Sequence, residues 1–393
     1  MKKIRFGIIG CGNQGSFYAG LFIAGKIANG EVAALCDINF VKAEKLALKF
    51  GNSKPKLFSD YKEMIKAGVC DAVMVETPHY LHPEISEYCL TRGVNVLCDK
   101  PAGVYAKQVR EMNEAAEKSG AVFGMMFNQR TNCVYRKMRE IIASGGIGEL
   151  QRVTWIITDW FRTQAYYNNG SWRATWRGEG GGVLINQCPH QLDLIQWVAG
   201  KSPVAVNGFC KYGRWHDVEV EDEVTAYLEY DNGATGVFIT TTGEFPGTNR
   251  FEISGTRGKL LCENEKLVWY KNSCDSSEYA KNSPTIFDYP EYVKEDVVTD
   301  GKNPQHAGII NNFADTLLGN GELFVRGEEG IKCVELMNAI EYSGWNGGKK
   351  VNCPVNEDEY LRALDERRAK SEIKTCCDEK VADTSNTFGS KIS

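Results

Sequence analysis

Eight residues near the start, Ile8-Ile9-Gly10-Cys11-Gly12-Asn13-Gln14-Gly15, limit the fold more than any other part of this chain. An apolar, β-branched run (4–9) leads into them, and a stretch of helical pattern (14–29) leaves them. In that setting the three glycines do different things. Gly10 permits a tight turn, Gly12 lets the backbone approach a pyrophosphate, and Gly15 lets the helix pack close to the strand. The N–H groups around Asn13 and Gln14, with the positive end of the helix dipole, would then face an anion. Asp37 stands 22 residues after Gly15, at the end of the next apolar run. There it can accept hydrogen bonds from both hydroxyls of an adenosine ribose. A 2′-phosphate would meet a like charge, and Asp37-Ile38-Asn39-Phe40 places no Arg or Lys beside it, so NAD is favoured over NADP.

The alternation continues. Apolar runs at 31–36, 71–77, 95–99 and 121–127 are separated by helical stretches at 40–51, 60–68, 83–93 and 106–119. This order predicts an α/β Rossmann domain over 1–127, with a doubly wound parallel sheet. Ser59 is expected to cap the third of these helices, and Gly68 to end it. A chain of 393 residues exceeds what one core usually serves. Residues 128–355 read as an α+β domain for substrate binding and oligomerisation, with a large open antiparallel sheet. Its strands fall near 150–160, 204–212, 222–230, 234–242, 249–255, 259–263 and 266–271, and its helices near 131–144, 187–199, 307–319 and 328–343. Asn232-Gly233 is a hairpin signal, since it accepts the positive φ of a tight turn; Gly255-Thr-Arg-Gly-Lys259 is a second turn. Residues 356–393 read as a helix followed by a disordered tail, whose last 20 residues are polar and aperiodic.

A net charge of −5 supplies no basic face for nucleic acid or an acidic membrane. No apolar stretch approaches the about 20 residues of a membrane span. The opening Met1-Lys-Lys superficially resembles a signal peptide, but Ile4–Ile9 reads better as the first strand. Fourteen cysteines are scattered without a C-x-x-C pair, which removes zinc-ribbon and redox-pair spacing, and no metal site is expected. They read as small buried hydrophobes in a reducing cytoplasm.

Two further motifs carry chemistry. Cys98-Asp-Lys-Pro-Ala-Gly103 follows the fifth strand, so Lys100 would face the crevice at the carboxyl ends of the strands. Pro101 fixes φ and admits a cis bond that would aim the lysine. A lysine there can stabilise developing alkoxide charge. In Glu179-Gly-Gly-Gly-Val-Leu-Ile-Asn186 to Trp197, helical spacing puts His190, Asp193, Leu194 and Trp197 on one face and Leu192, Ile195 and Ala199 on an opposite, buried face. His190 suits a proton acceptor near neutral pH, and Asp193, one turn on, could orient its imidazole.

Together these motifs resemble the glucose–fructose oxidoreductase / inositol dehydrogenase / MocA family over residues 1 to 350. The order is the family's: G-x-G-x-x-G, an E-K-P triplet about ninety residues later, then G-G-G-x-x-x-D-x-x-x-H-x-x-D. The resemblance implies a Rossmann domain, NAD as cofactor and an open-sheet domain that mediates dimers or tetramers. It implies a lysine and a histidine flanking the reacting carbinol, which map onto Lys100 and His190. It also places Thr77, Pro78, His82, Asp99, Lys100 and Gln129 along the cofactor, with His79 and His82 shaping the wall beside the nicotinamide, and His306 on the substrate side. The chain departs from the pattern twice. The triplet reads Asp99-Lys100-Pro101, and the family's aspartate is Asn186, an amide that cannot take a proton but can donate and accept hydrogen bonds.

The implied reaction is oxidation of a secondary hydroxyl of a sugar, glycoside or inositol, a 3-keto-forming oxidation of a glycoside ring among them. His190 would be the base, Lys100 would steady the oxygen, and Asn186 and Asp193 would support them. The stretch 159–182 is rich in Trp, Tyr and Arg. It reads either as a glycoside-binding wall led by Tyr166, Arg173 and Trp176, or as an oligomer contact. A redox-assisted glycosidase that returns NAD unchanged and a non-catalytic NAD-binding regulator are the alternatives.

Overall fold

The computed structural model describes residues 2–372 and residue 374. Of the 20 residues expected as a tail, Lys374 is described and the other 19 lie outside the described residues. Among the described residues the first sheet has six strands, β1 (Ile4–Ile9), β2 (Gly30–Cys36), β3 (Lys56–Phe58), β4 (Ala72–Val75), β5 (Asn95–Cys98) and β6 (Phe123–Met125). All pair in parallel, in the order β3-β2-β1-β4-β5-β6. Helices cover both faces, so β4 is buried at every position. The order reverses between β1 and β4, and the crevice above that point is where an open α/β sheet takes its ligands. Gly10 and Glu76 follow these two strands directly, and Asp99 follows β5. One local expectation fails: Asp60, not Ser59, caps the helix Tyr61–Lys66, its Oδ1 accepting from the Lys62 N–H at 2.7 Å. The helix begins one residue later than the pattern suggested. Gly68 ends it at φ +61°.

The second sheet comprises β7 (Leu150–Ile157), β8 (Ala205–Tyr212), β9 (Glu221–Glu229), β10 (Thr235–Thr241), β11 (Asn249–Gly255), β12 (Gly258–Glu263), β13 (Lys266–Asn272), β14 (Tyr292–Asp296) and β15 (Val351–Asn352). Their order is β14-β13-β12-β11-β7-β10-β9-β8-β15. It is mixed rather than purely antiparallel, because β7 and β10 run parallel side by side. The physical reason is the long excursion between β7 and β8: the loop and the helix Pro189–Ala199 carry the chain across one face, which is the kind of connection a parallel neighbour requires. Trp155 and Phe251, directly opposed on β7 and β11, stack at 4.1 Å in the covered face. The other face exposes Phe209 and Tyr227.

After this sheet the chain returns to the first. Asn311 Oδ1, on the helix Gln305–Leu317, accepts from the Ala28 N–H (2.9 Å), and Asn29 Nδ2 donates to Asp315 (2.6 Å). His306 is thereby carried to the glycine turn of β1, its ring edge-on to Phe17 at 5.2 Å. The helix Gly330–Trp345 packs against the helix Pro189–Ala199 and β8, and Glu357–Lys370 packs against the helix Ala106–Ser119.

Candidate active site

The turn after β1 has the shape a dinucleotide needs. Gly10 has φ +100°, and a Cβ there would lie 2.4 Å from the Glu76 oxygen. A Cβ on Gly15 would lie 1.9 Å from the Gly10 oxygen, whereas at Gly12 it would meet nothing within 4 Å. The helix Asn13–Ile23 therefore starts close against the strand with an open approach at Gly12. No side chain caps its first N–H groups, which leaves them for an anion. Asp37 accepts from the Cys11 N–H and the Asn39 N–H, both at 2.8 Å, one on each oxygen. Each oxygen keeps lone-pair capacity for a ribose hydroxyl. Further along the crevice, Thr77 Oγ1 and Gln129 Oε1 are buried without a hydrogen-bond partner among the described residues. Gln129 Nε2 donates to Gln305 Oε1 at 3.1 Å. This cradle fits NAD: Gly10 to Gly15 would hold the pyrophosphate, Asp37 the ribose, and Thr77 and Gln129 would lie toward the reactive end.

His82 ties the loops after β4 and β5 together, with its ring nitrogens at 2.7 Å from the Thr77 and Pro101 oxygens. Pro78 lies within the first of those loops. The Lys100–Pro101 bond is cis. Asp99 accepts from the Lys100 N–H at 2.8 Å, and burial raises its carboxyl above the ordinary range while the Lys100 charge draws it back. The Lys100 ammonium donates to the Asn186 backbone oxygen at 2.9 Å, and burial lowers its pKa, opposed by Asp99. That contact crosses from the first domain to the segment leading into the helix Pro189–Ala199, whose second residue is His190.

His190 is buried, edge-on to Phe127 at 6.3 Å, and its Nδ1 has no partner among the described residues. Burial holds its pKa well below the ordinary histidine value, and the charge of Lys100 lowers it further. Lys100 acts in the same direction on His306, brought down to about 3 chiefly by burial, and on His79. His82 is lowered by burial and by Lys100 as well, so four buried histidines feel the charge of this one amine. An ammonium has three donors, and among the described residues one is spent, on Asn186, which leaves two for a substrate oxygen.

Two family models match the chain: the NAD-binding Rossmann fold of an oxidoreductase family over residues 4–127, and the GFO/IDH/MocA C-terminal domain over residues 135–261. The chain belongs to the GFO/IDH/MocA family. It is an NAD-binding oxidoreductase of that family. Among curated relatives, trans-1,2-dihydrobenzene-1,2-diol dehydrogenase of Bos taurus is 28% identical over 65% of this chain and 72% of its own length. The 1,5-anhydro-D-fructose reductase of Ensifer adhaerens is 28% identical over 66% and 76%. The D-glucoside 3-dehydrogenase of Escherichia coli K12 is 30% identical over 52% and 60%. The fold matches levoglucosan dehydrogenase, solved with NADH and L-sorbose, at a TM-score of 0.75 and 20% identity, covering 91% of this chain and all of that one. WlbA dehydrogenase from Bordetella pertussis, solved with NADH and UDP-GlcNAcA, matches at 0.74 and 24%, covering 90% and all of that chain.

Several residues expected at the site from spacing and composition lie in other surroundings. Asp193 does not reach His190. Its carboxylate takes a bidentate pair from Arg130, Nε at 2.8 Å and Nη2 at 2.6 Å, while His190 Nδ1 has no partner among the described residues. Of the face expected opposite the buried stripe, His190, Asp193 and Leu194 are buried as well, and Trp197 is half-buried. Helices pack on several sides here, and period alone could not show that. Trp176 does not join the site either. Its ring is 6% exposed and packs on Trp345 and Tyr212, while its indole N–H donates to the Glu219 oxygen. Trp172, which the sequence pattern did not single out, stands edge-on to His79 at 5.6 Å instead.

Tyr166 and Arg173 do converge on Asn186. Arg173 Nη1 donates to the Tyr166 hydroxyl at 2.7 Å, and that hydroxyl donates to Asn186 Oδ1 at 3.0 Å. The Asn186 amide nitrogen donates to Glu179. Glu179 is a fully enclosed carboxylate that sequence reasoning missed; its Oε2 also accepts from the Ala174 N–H, and burial raises its pKa against the pull of Arg173. The Asn186 side chain is therefore committed to neighbours on both ends, and its backbone oxygen is what meets Lys100. Twelve described cysteines are free, and seven of them are buried. Among the described residues no cluster of three His, Cys, Asp or Glu could hold a metal ion, and no helix is long and apolar enough to cross a membrane.

Proposed function

We propose that this oxidoreductase oxidises a secondary ring hydroxyl of a sugar, glycoside or inositol, with a glycoside 3-hydroxyl the leading candidate. The observation that carries the reading is the Lys100 contact to the Asn186 oxygen, which sets a cationic amine at the foot of the segment bearing His190. NAD, when bound, supplies the hydride acceptor. The protein's own part is to place the hydroxyl and handle its proton. The two spare donors of Lys100 hold the substrate oxygen and stabilise the charge it gains. His190, neutral at working pH, accepts the proton. Asn186 is an amide that cannot take a proton, and its side chain is held by Tyr166 and Glu179, so the base role rests on His190. Tyr166, Arg173 and Trp172 form a polar and aromatic wall suited to a sugar ring. Asp37 selects NAD over NADP. The relatives named for glucoside and anhydrofructose chemistry support a carbohydrate substrate. We further read the open face of the second sheet as a contact between copies of the chain, and the protein as cytoplasmic.

Appearance of NADH on mixing the protein with NAD and a panel of inositols, free sugars and glycosides tests the reading. NADH is expected with at least one glycoside, and reduction is expected to be slower with NADP than with NAD. No reduction with any member, or a preference for NADP, overturns it. Loss of a glycoside without NADH would point to the redox-assisted glycosidase. The pH profile is a separate check. Because burial and Lys100 lower the His190 pKa, the imidazole stays neutral below the ordinary value of 6.5. The acid limb of kcat/KM is therefore expected below that value. The lowered amine of Lys100 loses its proton as pH rises, so the alkaline limb is expected below the ordinary lysine value of 10.5. An acid limb at or above an ordinary histidine pKa would argue against His190 as base.

A further inference from the structure

Beyond the helix Glu357–Lys370 the chain runs back over the loop that carries Tyr166 and Arg173. Ser371 Oγ accepts from the Arg177 N–H at 3.2 Å and donates to Glu219, whose carboxylate also accepts from the Trp176 N–H at 2.6 Å. Farther on, the Lys374 ammonium donates to two backbone oxygens, Tyr167 at 3.0 Å and Arg173 at 2.8 Å. These carbonyls lie at either end of Asn168-Asn-Gly-Ser-Trp172, a stretch without regular secondary structure whose Gly170 has φ +97°. A cation with rotatable donors can close such a span, because charge-assisted bonds to two carbonyls converge on one point. The residue whose oxygen it holds, Arg173, is the one whose guanidinium reaches Tyr166. The Lys374 charge also opposes the effect of burial on the Glu179 carboxyl.

We propose that Lys374 is a positioning residue for the substrate: by clamping the Tyr167 and Arg173 carbonyls it closes the loop, so that Arg173, Tyr166 and Trp172 present one fixed surface beside Asn186. The proposal rests on the reading that this loop binds the sugar. Nothing in the G-x-G-x-x-G, D-K-P or G-G-G motifs points to a residue so near the end of the chain. The clamp does not touch the reacting atoms. Its loss should cost substrate affinity and leave the chemistry and the cofactor cradle alone.

The test compares Lys374→Met and Lys374→Arg with the full-length protein, using 4-nitrophenyl β-D-glucopyranoside and NAD. For Lys374→Met the KM of the glucoside is expected to rise about tenfold, with kcat and NADH affinity nearly unchanged. Arginine, which can also donate to two carbonyls, is expected to restore most of the loss. Chymotryptic cleavage after Tyr166, Tyr167 or Trp172, read without any substrate, is expected to quicken in the methionine variant. Unchanged cleavage together with unchanged KM overturns the clamp itself. Faster cleavage with unchanged KM overturns the proposal differently, by placing the loop outside the substrate's path. A KM rise that arginine does not reverse, or one matched by an equal loss of NADH affinity, also overturns it, since general loosening of the fold would do the same.

Discussion

Replacing Lys100 with alanine is expected to lower kcat by about 10²–10³-fold, the usual cost of removing a donor aimed at developing oxyanion charge. NADH affinity should stay near that of the parent, because the glycine turn and Asp37 that form the cradle do not depend on the amine. The substitution leaves the Asn186 oxygen without its charged partner, so a loss of about 1–3 kcal/mol in stability is also expected. A second signature separates loss of charge from simple misfolding. Lys100 is one of the causes that lower the pKa of His79, His190 and His306. Without it the acid limb of the residual activity should move up toward the ordinary histidine value, though only part of the way, because burial is the larger cause. Near-parent turnover, or an acid limb that does not move, would remove Lys100 from the reaction.

The parallel sheet was readable because each of its parts obeys a local rule. Buried parallel strands are short continuous apolar runs, and the glycine turn needs positive φ and close approach at fixed positions; Gly10 meets both needs and Gly15 the second. The hairpin at Asn232-Gly233 was readable for the same reason, with Gly233 at φ +82°. Strands β3 and β15 are too short to leave a pattern, and β14 is exposed at every residue, so alternation could not reveal it. The parallel pairing of β7 with β10 is set by where a long crossover lands, which is a tertiary fact. The site divides along the same line. Lys100 and His190 sit at places fixed by strand ends and helix starts. The commitments of Asn186, Asp193 and Trp176 depend on side chains from distant segments: Tyr166 and Glu179 for the first, Arg130 for the second, Glu219 and Trp345 for the third. Glu179 opens the glycine-rich motif, but a carboxylate beside three glycines carries no signal of being buried.

Removing the Asp193 carboxylate, by Asp193→Ala, is expected to destabilise the protein by about 3–5 kcal/mol, the range for breaking a buried ion pair from one side. Arg130 is buried, and its guanidinium gives two of its bonds to Asp193 and one to Glu329 at 2.7 Å, between the rings of Phe127 and Trp197 at 5.3 and 5.4 Å. Alanine would leave that cation with one carboxylate, itself partly exposed. Denaturant midpoints of the variant measure the loss. Converting both partners, Arg130→Met with Asp193→Leu, should cost less than the sum of the two single changes, because the one charge left without its partner, Glu329, is partly exposed. The turnover of the folded Asp193→Ala protein decides between the two roles open to this aspartate. If it only anchors Arg130, turnover per folded molecule stays within about tenfold of the parent, since Asp193 spends both oxygens on Arg130. If it also oriented the imidazole, turnover per folded molecule would fall by orders of magnitude on top of the same loss of stability. The short bidentate bonds to Arg130 favour the first outcome, because the carboxylate is fixed toward the guanidinium while His190 Nδ1 has no partner among the described residues.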